Sequence, residues 1–201
     1  MDDQISRRNF LRGVGASAMA GALAKVATAA ETVESFDDQK PVGPAPVELV
    51  VQVNGKRHEL EVEPRVTLLD LLRNQLGLTG PKEVCDRATC GACTVLVDGQ
   101  PVYSCMKLGL EMQDHEVTTI EGLGGPANLT PVQRAFVECD ALMCGYCTPG
   151  FVMSLTALFN TKKNPDLSQV KKACSGNLCR CGAYPNIFKA AERVAATGAS
   201  S

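Results

Sequence analysis

The sequence has no tryptophan, only 4% aromatic residues and two histidines among 201 residues. Its 20 basic and 22 acidic residues nearly cancel, and a net charge of -2 gives no sign of a nucleic-acid or membrane-surface partner. No nucleotide-binding glycine motif occurs, and no apolar run reaches the roughly 20 residues that span a bilayer. His58 lies in a charged segment and His115 precedes a predicted strand, so we expect both to be solvated. The sequence therefore predicts no nucleic-acid partner, no membrane span and no catalytic residue on this chain.

Residues 1–30 have the features of an export signal. The stretch SRRNFLRG contains the pair Arg7-Arg8, an Ala/Gly-rich stretch follows, and Ala27-Thr28-Ala29 suits a small-residue cleavage site. An amphipathic N-terminal helix is the alternative. A twin-arginine signal carries folded proteins to the periplasm, which is where we expect this chain. The acidic, proline-rich residues 31–46 predict an extended linker.

What is abundant is cysteine, with ten residues in the chain. An oxidising compartment favours disulfides, and a cysteine-stapled binding module is one hypothesis. Disulfides, however, do not require folding before export, whereas a cofactor inserted in the cytosol does. Folded export and many cysteines together favour a metal centre.

Residues 47–121 predict a β-grasp domain. Two runs of alternating apolar and polar residues flank Asn54-Gly55, and Asp98-Gly99 joins two more short strands. A leucine-rich helix begins after Thr67, with Asp70 in a position that resembles a capping box. The residues from His115 to Glu121 predict the last strand.

Four cysteines of this domain have a recognisable spacing. Cys85-x4-Cys90-x2-Cys93, followed by Cys105, is the spacing of a plant-type [2Fe–2S] ferredoxin. Thiolates are soft anionic donors that suit iron and sulfide, and Gly91 and Ala92 allow a tight loop with backbone N–H groups near the sulfurs. Zinc is the alternative, but zinc ribbons usually repeat a C-x2-C unit, and here the first gap has four residues.

Residues 131–197 predict a small four-helix bundle after a joint at residues 122–130. Thr130-Pro131, Thr148-Pro149 and Pro185 are helix-start signals, and a shorter helix is predicted from Ser168 to Cys174.

Six cysteines remain in this half. Cys144-x2-Cys147 and Cys179-x-Cys181 each precede a helix N-terminus, where partial positive charge favours an anionic thiolate cluster. Cys139 and Cys174 fall on apolar helical faces. We expect them to be free and buried, with a Cys139–Cys174 disulfide as the alternative.

The two quartets in this order, CDRATCGAC with Cys105 and then CGYCTPG with NLCRCG, resemble the iron–sulfur subunit of the xanthine dehydrogenase and aldehyde oxidoreductase family of molybdenum hydroxylases. The resemblance covers about residues 47–196 and implies an α+β protein with two [2Fe–2S] clusters. It assigns the ligands as two groups of four: Cys85, Cys90, Cys93 and Cys105 in the β-grasp domain, and Cys144, Cys147, Cys179 and Cys181 in the helical domain.

The resemblance also implies partners. A separate large subunit binds molybdopterin and performs the hydroxylation, and electrons pass to the helical-domain cluster, then to the β-grasp cluster, then to an FAD subunit or another acceptor such as a cytochrome. Cys181 matches the ligand nearest the pterin. The twin-arginine segment further resembles small subunits of periplasmic aldehyde oxidoreductases. The alternative function is a free-standing ferredoxin that diffuses between partners.

Two positions depart from the family pattern. Met143 stands where a glutamine commonly bonds the pterin; we still assign it a pterin-side position, but a thioether cannot donate that hydrogen bond. Ala88 stands where glycine is frequent, which predicts either a negative φ or mild strain at Ala88.

Overall fold

The first half of the chain is built on a five-stranded mixed sheet, in a computed structural model that describes residues 42–198. The strands are β1 Val47–Val53, β2 Lys56–Val62, β3 Thr94–Val97, β4 Gln100–Tyr103 and β5 Glu116–Thr118. Their order is β2-β1-β5-β3-β4, with β5 parallel to β1 and antiparallel to β3. This is the predicted β-grasp arrangement. The predicted signal, residues 1–30, and residues 31–41 of the predicted linker lie outside the described residues.

Two turns set the register of the hairpins. Asn54 and Gly55 have φ angles of 53° and 72°, and Asp98 and Gly99 have 49° and 76°. Two successive residues with positive φ form the turn that matches the twist of antiparallel strands. β1 and β2 therefore pair from Val53 opposite Lys56 back to their far ends, and the alternating apolar residues of β1 share the buried face.

The predicted leucine-rich helix forms in two parts. The helix α1, Leu68–Asp70, begins at Thr67, whose side chain accepts the Asp70 N–H at 3.1 Å. It continues as a π-helix, Leu71–Gln75, with a Leu76 N–H to Leu71 carbonyl bond of 3.1 Å. Its leucines still cover the sheet, because the apolar pattern sets the buried face but does not distinguish the two hydrogen-bond spacings.

The last strand is shorter than predicted, since β5 ends at Thr118. The next residue, Thr119, donates its N–H to the Asn54 side chain at 2.8 Å instead of to a strand. A short helix α2, Ile120–Leu123, begins there, so the prediction of a strand to Glu121 was wrong in its last residues.

Helices dominate the second half, as predicted. They are α3 Pro131–Glu138, α4 Thr148–Thr161, α5 Leu167–Ala173 and α6 Tyr184–Thr197. Thr130 caps α3 through a reciprocal bond with Gln133, and Asp166 caps α5 in the same way with Gln169. Phe136, Phe151, Phe159 and Ile187 lie in one core that is separate from the core under the sheet. The α+β fold class is confirmed.

The two halves pack against each other within one compact unit. Leu96 of β3 contacts Met153 and Ala157 of α4 in a small buried cluster. The middle of α4 therefore lies against the sheet, and its first turn lies beside the cysteine loop that precedes β3. Within residues 42–198, no helix combines the length and apolar character that a membrane crossing needs.

Candidate metal centres

The first cysteine quartet lies on the irregular loop before β3 and on the turn after β4. Cys85 is half-buried, whereas Cys90, Cys93 and Cys105 are buried. The thiols interact in two pairs, Cys85 with Cys90 and Cys93 with Cys105. Nowhere in the described part of the chain do three or more His, Cys, Asp or Glu side chains converge as for a single metal ion. The quartet is therefore arranged as two pairs of donors.

Backbone N–H groups surround the sulfurs of this loop. Positive φ angles at Asp86, Ala88 and Gly91 fold the chain tightly. The Thr89 N–H donates to the Cys85 sulfur at 3.4 Å. Desolvation opposes ionisation of Cys85, but hydrogen bonds from Thr89, the Arg87 backbone and Cys90 outweigh it and lower its pKa to about 6. Cys85 is thus set up to be a thiolate at neutral pH.

The two inner thiols behave differently. Burial raises the pKa of Cys93 to about 12, against opposing hydrogen bonds from the Cys105 backbone and Ser104. Burial also raises the pKa of Cys90, and the Ala92 backbone N–H is the strongest opposing influence. Such thiols ionise only when a cation replaces their protons, as metal binding does.

Ala88 adopts a left-handed conformation, with φ of 56°. Of the two outcomes expected at this position, strain is therefore the one found. A left-handed alanine costs about 1–2 kcal/mol, which a glycine avoids.

We expect Ala88→Gly to increase the free energy of unfolding by roughly 0.5–1 kcal/mol, because the relief of strain exceeds the extra unfolded-state entropy of glycine. Denaturant unfolding of the full chain measures this. Ala190→Gly is the matched control, because Ala190 lies in the middle of α6, where glycine is expected to destabilise. A lower stability for Ala88→Gly would contradict the prediction.

The second quartet lies at two helix N-termini. Cys144 and Cys147 precede α4, with Cys147 as its N-cap, and Cys179 and Cys181 precede α6. The interacting pairs are not the sequence neighbours: Cys144 interacts with Cys181, and Cys147 with Cys179. The fold therefore joins the two cysteine segments crosswise, again as two pairs of donors.

Backbone donors also surround these sulfurs. The Tyr146 N–H and then the Cys181 side chain lower the pKa of Cys144. Desolvation opposes ionisation of Cys179, but the Ala183 N–H, 3.4 Å from its sulfur, contributes to a lowered pKa. Burial, with Cys179 beside it, raises the pKa of Cys147 to about 12. Each pair of this quartet thus contains one thiol whose ionisation the backbone favours.

The outer edge of the second quartet is exposed. Cys144 and Cys181 are exposed, and Met143 is 69% exposed next to them. Other apolar side chains of this edge are also exposed: Leu142, Tyr146 and Leu178. A surface with two exposed thiols and four exposed apolar side chains is unusual for a protein that works alone.

Direct contacts join the two cysteine loops. The Leu178 N–H donates to the Cys90 carbonyl at 2.9 Å, so the residue before Cys179 bonds a member of the other quartet. The Asn177 side-chain amide donates to the Gly91 carbonyl at 2.9 Å. Neither Asn177 nor these contacts were identified from the sequence, although Asn177 lies in the NLCRC motif.

Glycines make this approach possible. A Cβ on Gly150 of α4 would lie 2.3 Å from the Gly91 carbonyl oxygen, and one on Gly91 would lie 2.4 Å from the Gly176 carbonyl oxygen. Contacts this short are not seen for real Cβ atoms. The backbones of the two loops and of α4 therefore touch where side chains would separate them.

The remaining candidates lie elsewhere. Cys139 and Cys174 are both free and buried in the helical core, as predicted, and burial raises the pKa of Cys174 to about 12. His115 is exposed and bonds Asp98 at 2.5 Å beyond the tip of the second hairpin, and His58 lies half-buried on β2.

Known proteins match both halves. Residues 51–120 match the family model of the 2Fe-2S iron-sulfur cluster binding domain, and residues 119–192 match that of the [2Fe-2S] binding domain. The aldehyde oxidoreductase iron-sulfur-binding subunit PaoA of Escherichia coli O157:H7 is 40% identical, over 96% of this chain and 90% of its own length. A probable xanthine dehydrogenase subunit of Bacillus subtilis (strain 168) is 40% identical, over 78% of this chain and 92% of its own.

A solved structure agrees with these relatives. A chain of quinoline 2-oxidoreductase from Pseudomonas putida 86 superposes with a TM-score of 0.73 at 36% identity, covering 77% of this chain and 96% of that chain. Two cluster-binding family models, two curated relatives of similar length and a solved chain of the same fold all agree. The protein therefore belongs to the iron–sulfur small subunits of the xanthine dehydrogenase and aldehyde oxidoreductase family of molybdenum hydroxylases.

Proposed function

We propose that each thiol quartet holds one of the two [2Fe–2S] clusters of this electron-transfer subunit. The single observation that carries the assignment is the arrangement of each quartet as two interacting pairs. Each iron of such a cluster takes two thiolates, so Cys85 with Cys90 would bind one iron and Cys93 with Cys105 the other. In the second quartet the crosswise pairs, Cys144 with Cys181 and Cys147 with Cys179, would do the same.

The surrounding residues fit an anionic group. When bound, each cluster takes up and releases one electron at a time, and a four-thiolate [2Fe–2S] core carries about two negative charges before reduction and three after. The N–H groups of Thr89 and Ala183 point at sulfurs of the two quartets. Such donors stabilise the more negative form, so the loop conformation favours reduction.

The exposed edge of the second quartet is the proposed contact with the large molybdopterin-binding subunit. Cys144, Cys181 and Met143 are exposed there among apolar side chains. A partner that covers this edge would place its pterin beside Cys181, with Met143 at the position that lacks an amide donor. The same exposed edge favours a fixed subunit over a free-standing ferredoxin, because a permanent partner would keep these apolar side chains and thiols out of water.

The substrate and the acceptor are also proposals. The name of the relative from E. coli O157:H7 supports an aldehyde as the substrate of the large subunit. We propose that the electrons leave through the first quartet to an FAD subunit or to another acceptor such as a cytochrome. No residue of this chain is assigned to the hydroxylation itself.

Metal analysis of the purified protein tests the cluster assignment. We expect about four iron atoms and four acid-labile sulfides per chain, because two [2Fe–2S] clusters contain that number. The chain should also co-elute with a large subunit that contains molybdenum. Two irons or none would contradict the assignment, and a soluble iron-loaded monomer without a molybdenum subunit would favour the free-standing ferredoxin.

We propose that residues 1–30 direct export of the chain to the periplasm by the twin-arginine pathway. We expect Arg7→Lys combined with Arg8→Lys to leave the chain in the cytoplasm, because the pathway reads the arginine pair. Cell fractionation and immunoblotting measure this. Arg12→Lys, in the same segment, is the control that should still be exported. Unchanged periplasmic levels of the double variant would contradict the proposal.

A further inference from the structure

Asn177 is a buried polar residue that joins three parts of the molecule. It is 3% exposed and follows α5, two positions before Cys179. Its side-chain nitrogen donates to the Gly91 carbonyl at 2.9 Å, and its side-chain oxygen accepts the Ser154 hydroxyl of α4 at 2.8 Å. A buried amide whose two ends are both bonded is held in one orientation. Asn177 is therefore a fixed donor aimed from the helical half at the first cysteine loop.

The Gly91 carbonyl is the convergence point of this network. It accepts the Thr94 hydroxyl at 2.6 Å and the Thr94 N–H at 3.2 Å, in addition to the Asn177 amide. These donors fix the plane of the peptide bond between Gly91 and Ala92. In a trans peptide the carbonyl and the N–H of the next residue point in opposite directions. Holding the Gly91 carbonyl inward therefore turns the Ala92 N–H outward.

In this orientation the Ala92 N–H faces a sulfur of the first quartet. The Ala92 backbone N–H interacts with the Cys90 thiol. No other backbone bond is found for this N–H among the described residues. The orientation of one donor to the first quartet thus depends on a side chain that belongs to the second half of the chain.

We propose that Asn177 is a positioning residue that sets the reduction potential of the first-quartet cluster from the opposite half of the protein. This inference rests on the proposed assignment of the two quartets. Without the Asn177 donor, only Thr94 holds the Gly91 carbonyl, so the Gly91–Ala92 peptide is held less firmly and the Ala92 N–H is aimed less well at Cys90. Loss of a donor to a sulfur disfavours the more negative reduced form, so the potential falls.

The test is redox titration of the iron-loaded full chain, followed by electron paramagnetic resonance. Cys85→Ser and Cys181→Ser each alter one signal and so identify the two clusters. In Asn177→Leu, which keeps the volume but removes the donor, we expect the reduced-to-oxidised ratio of the first-quartet cluster at a fixed potential to fall by roughly tenfold. This corresponds to about 59 mV for a one-electron couple. The second-quartet cluster should shift less, although Asn177 is nearer to it in sequence.

Two further variants keep the test decisive if Asn177→Leu does not assemble. Thr94→Val removes another donor to the Gly91 carbonyl, and Ser154→Ala releases the amide oxygen of Asn177; both should lower the same potential. Ser175→Ala is the matched control, since Ser175 is exposed in the same turn and bonds only the Lys172 carbonyl. It should leave both potentials unchanged.

A shift confined to the second-quartet cluster, or no shift in any of the three variants, would overturn the role of Asn177. Failure of the wild-type chain to bind two clusters would instead overturn the proposed function. The two outcomes are therefore distinguishable.

Discussion

Replacing Cys181 with serine is expected to lower turnover of the assembled enzyme by more than about 100-fold while leaving the first-quartet signal intact. Cys181 is exposed and pairs with Cys144 at the edge proposed to meet the molybdopterin subunit. Mutation of a residue that only hydrogen-bonds a metal ligand already lowers metal affinity or activity by about 10–100-fold, and we expect loss of a direct ligand to lower activity more. Steady-state rates with an aldehyde and the spectrum of the reduced protein measure the two effects.

The separation of the two effects follows from the two cores. The helical core and the core under the sheet share no residue, so a defect in the second quartet need not unfold the first. Cys174→Ala is the matched control, because it also removes a cysteine but one that is buried and outside both quartets. It should keep about four irons per chain. Loss of both spectral signals in Cys181→Ser would show that the two sites do not assemble independently.

Gly150→Ala is expected to have the largest effect on stability. The added Cβ would lie 2.3 Å from the Gly91 carbonyl oxygen and 3.0 Å from the Asn177 side-chain nitrogen. Gly150 has no positive φ, so alanine adds no backbone strain there, and its higher helix propensity offsets only part of the steric cost. Because the neighbouring atoms are mainly backbone, α4 or the first cysteine loop must move. Overpacking of this kind costs about 1–3 kcal/mol, and we also expect a lower iron content from the displaced loop.

Denaturant unfolding and iron analysis of the Gly150→Ala chain measure these effects. Gly125→Ala is the matched control, because a Cβ at Gly125 would meet no atom within 4 Å. It should leave stability and iron content nearly unchanged. Equal behaviour of the two variants would show that the contact between α4 and the first loop is not tight.

The turns and helix starts that were predicted correctly are determined by residues close together in the sequence. Asn54-Gly55 and Asp98-Gly99 set two hairpins because their positive φ angles are local properties of the turn. Thr130-Pro131 set the start of α3 because the cap bonds a residue three positions on. The end of β5 was mispredicted because the side chain of Asn54, 65 residues away, accepts a hydrogen bond from the Thr119 N–H. Spacing within one strand or helix carries no information about such a partner.

In the candidate sites, too, features set by local sequence were predicted, and features set by contacts between distant residues were not. Residue type and spacing indicated the eight cysteines, because soft anionic donors in groups of four suit few chemistries. The crosswise pairing of Cys144 with Cys181 depends on how α4 and α6 meet, so spacing alone could not predict it. Asn177 was overlooked for a similar reason, since its acceptor Gly91 is 86 residues away. The two halves together, rather than either motif, determine the surroundings of the sulfurs.

We propose that this chain holds two separate [2Fe–2S] clusters, one on each of its two thiol quartets. The electron paramagnetic resonance spectrum of the dithionite-reduced protein, with the spins counted against the chain concentration, tests it most directly. We expect two distinct signals of about one spin each per chain, of which Cys85→Ser alters one and Cys181→Ser the other. A single signal, or a silent colourless protein whose cysteines are joined in disulfides, would contradict the account.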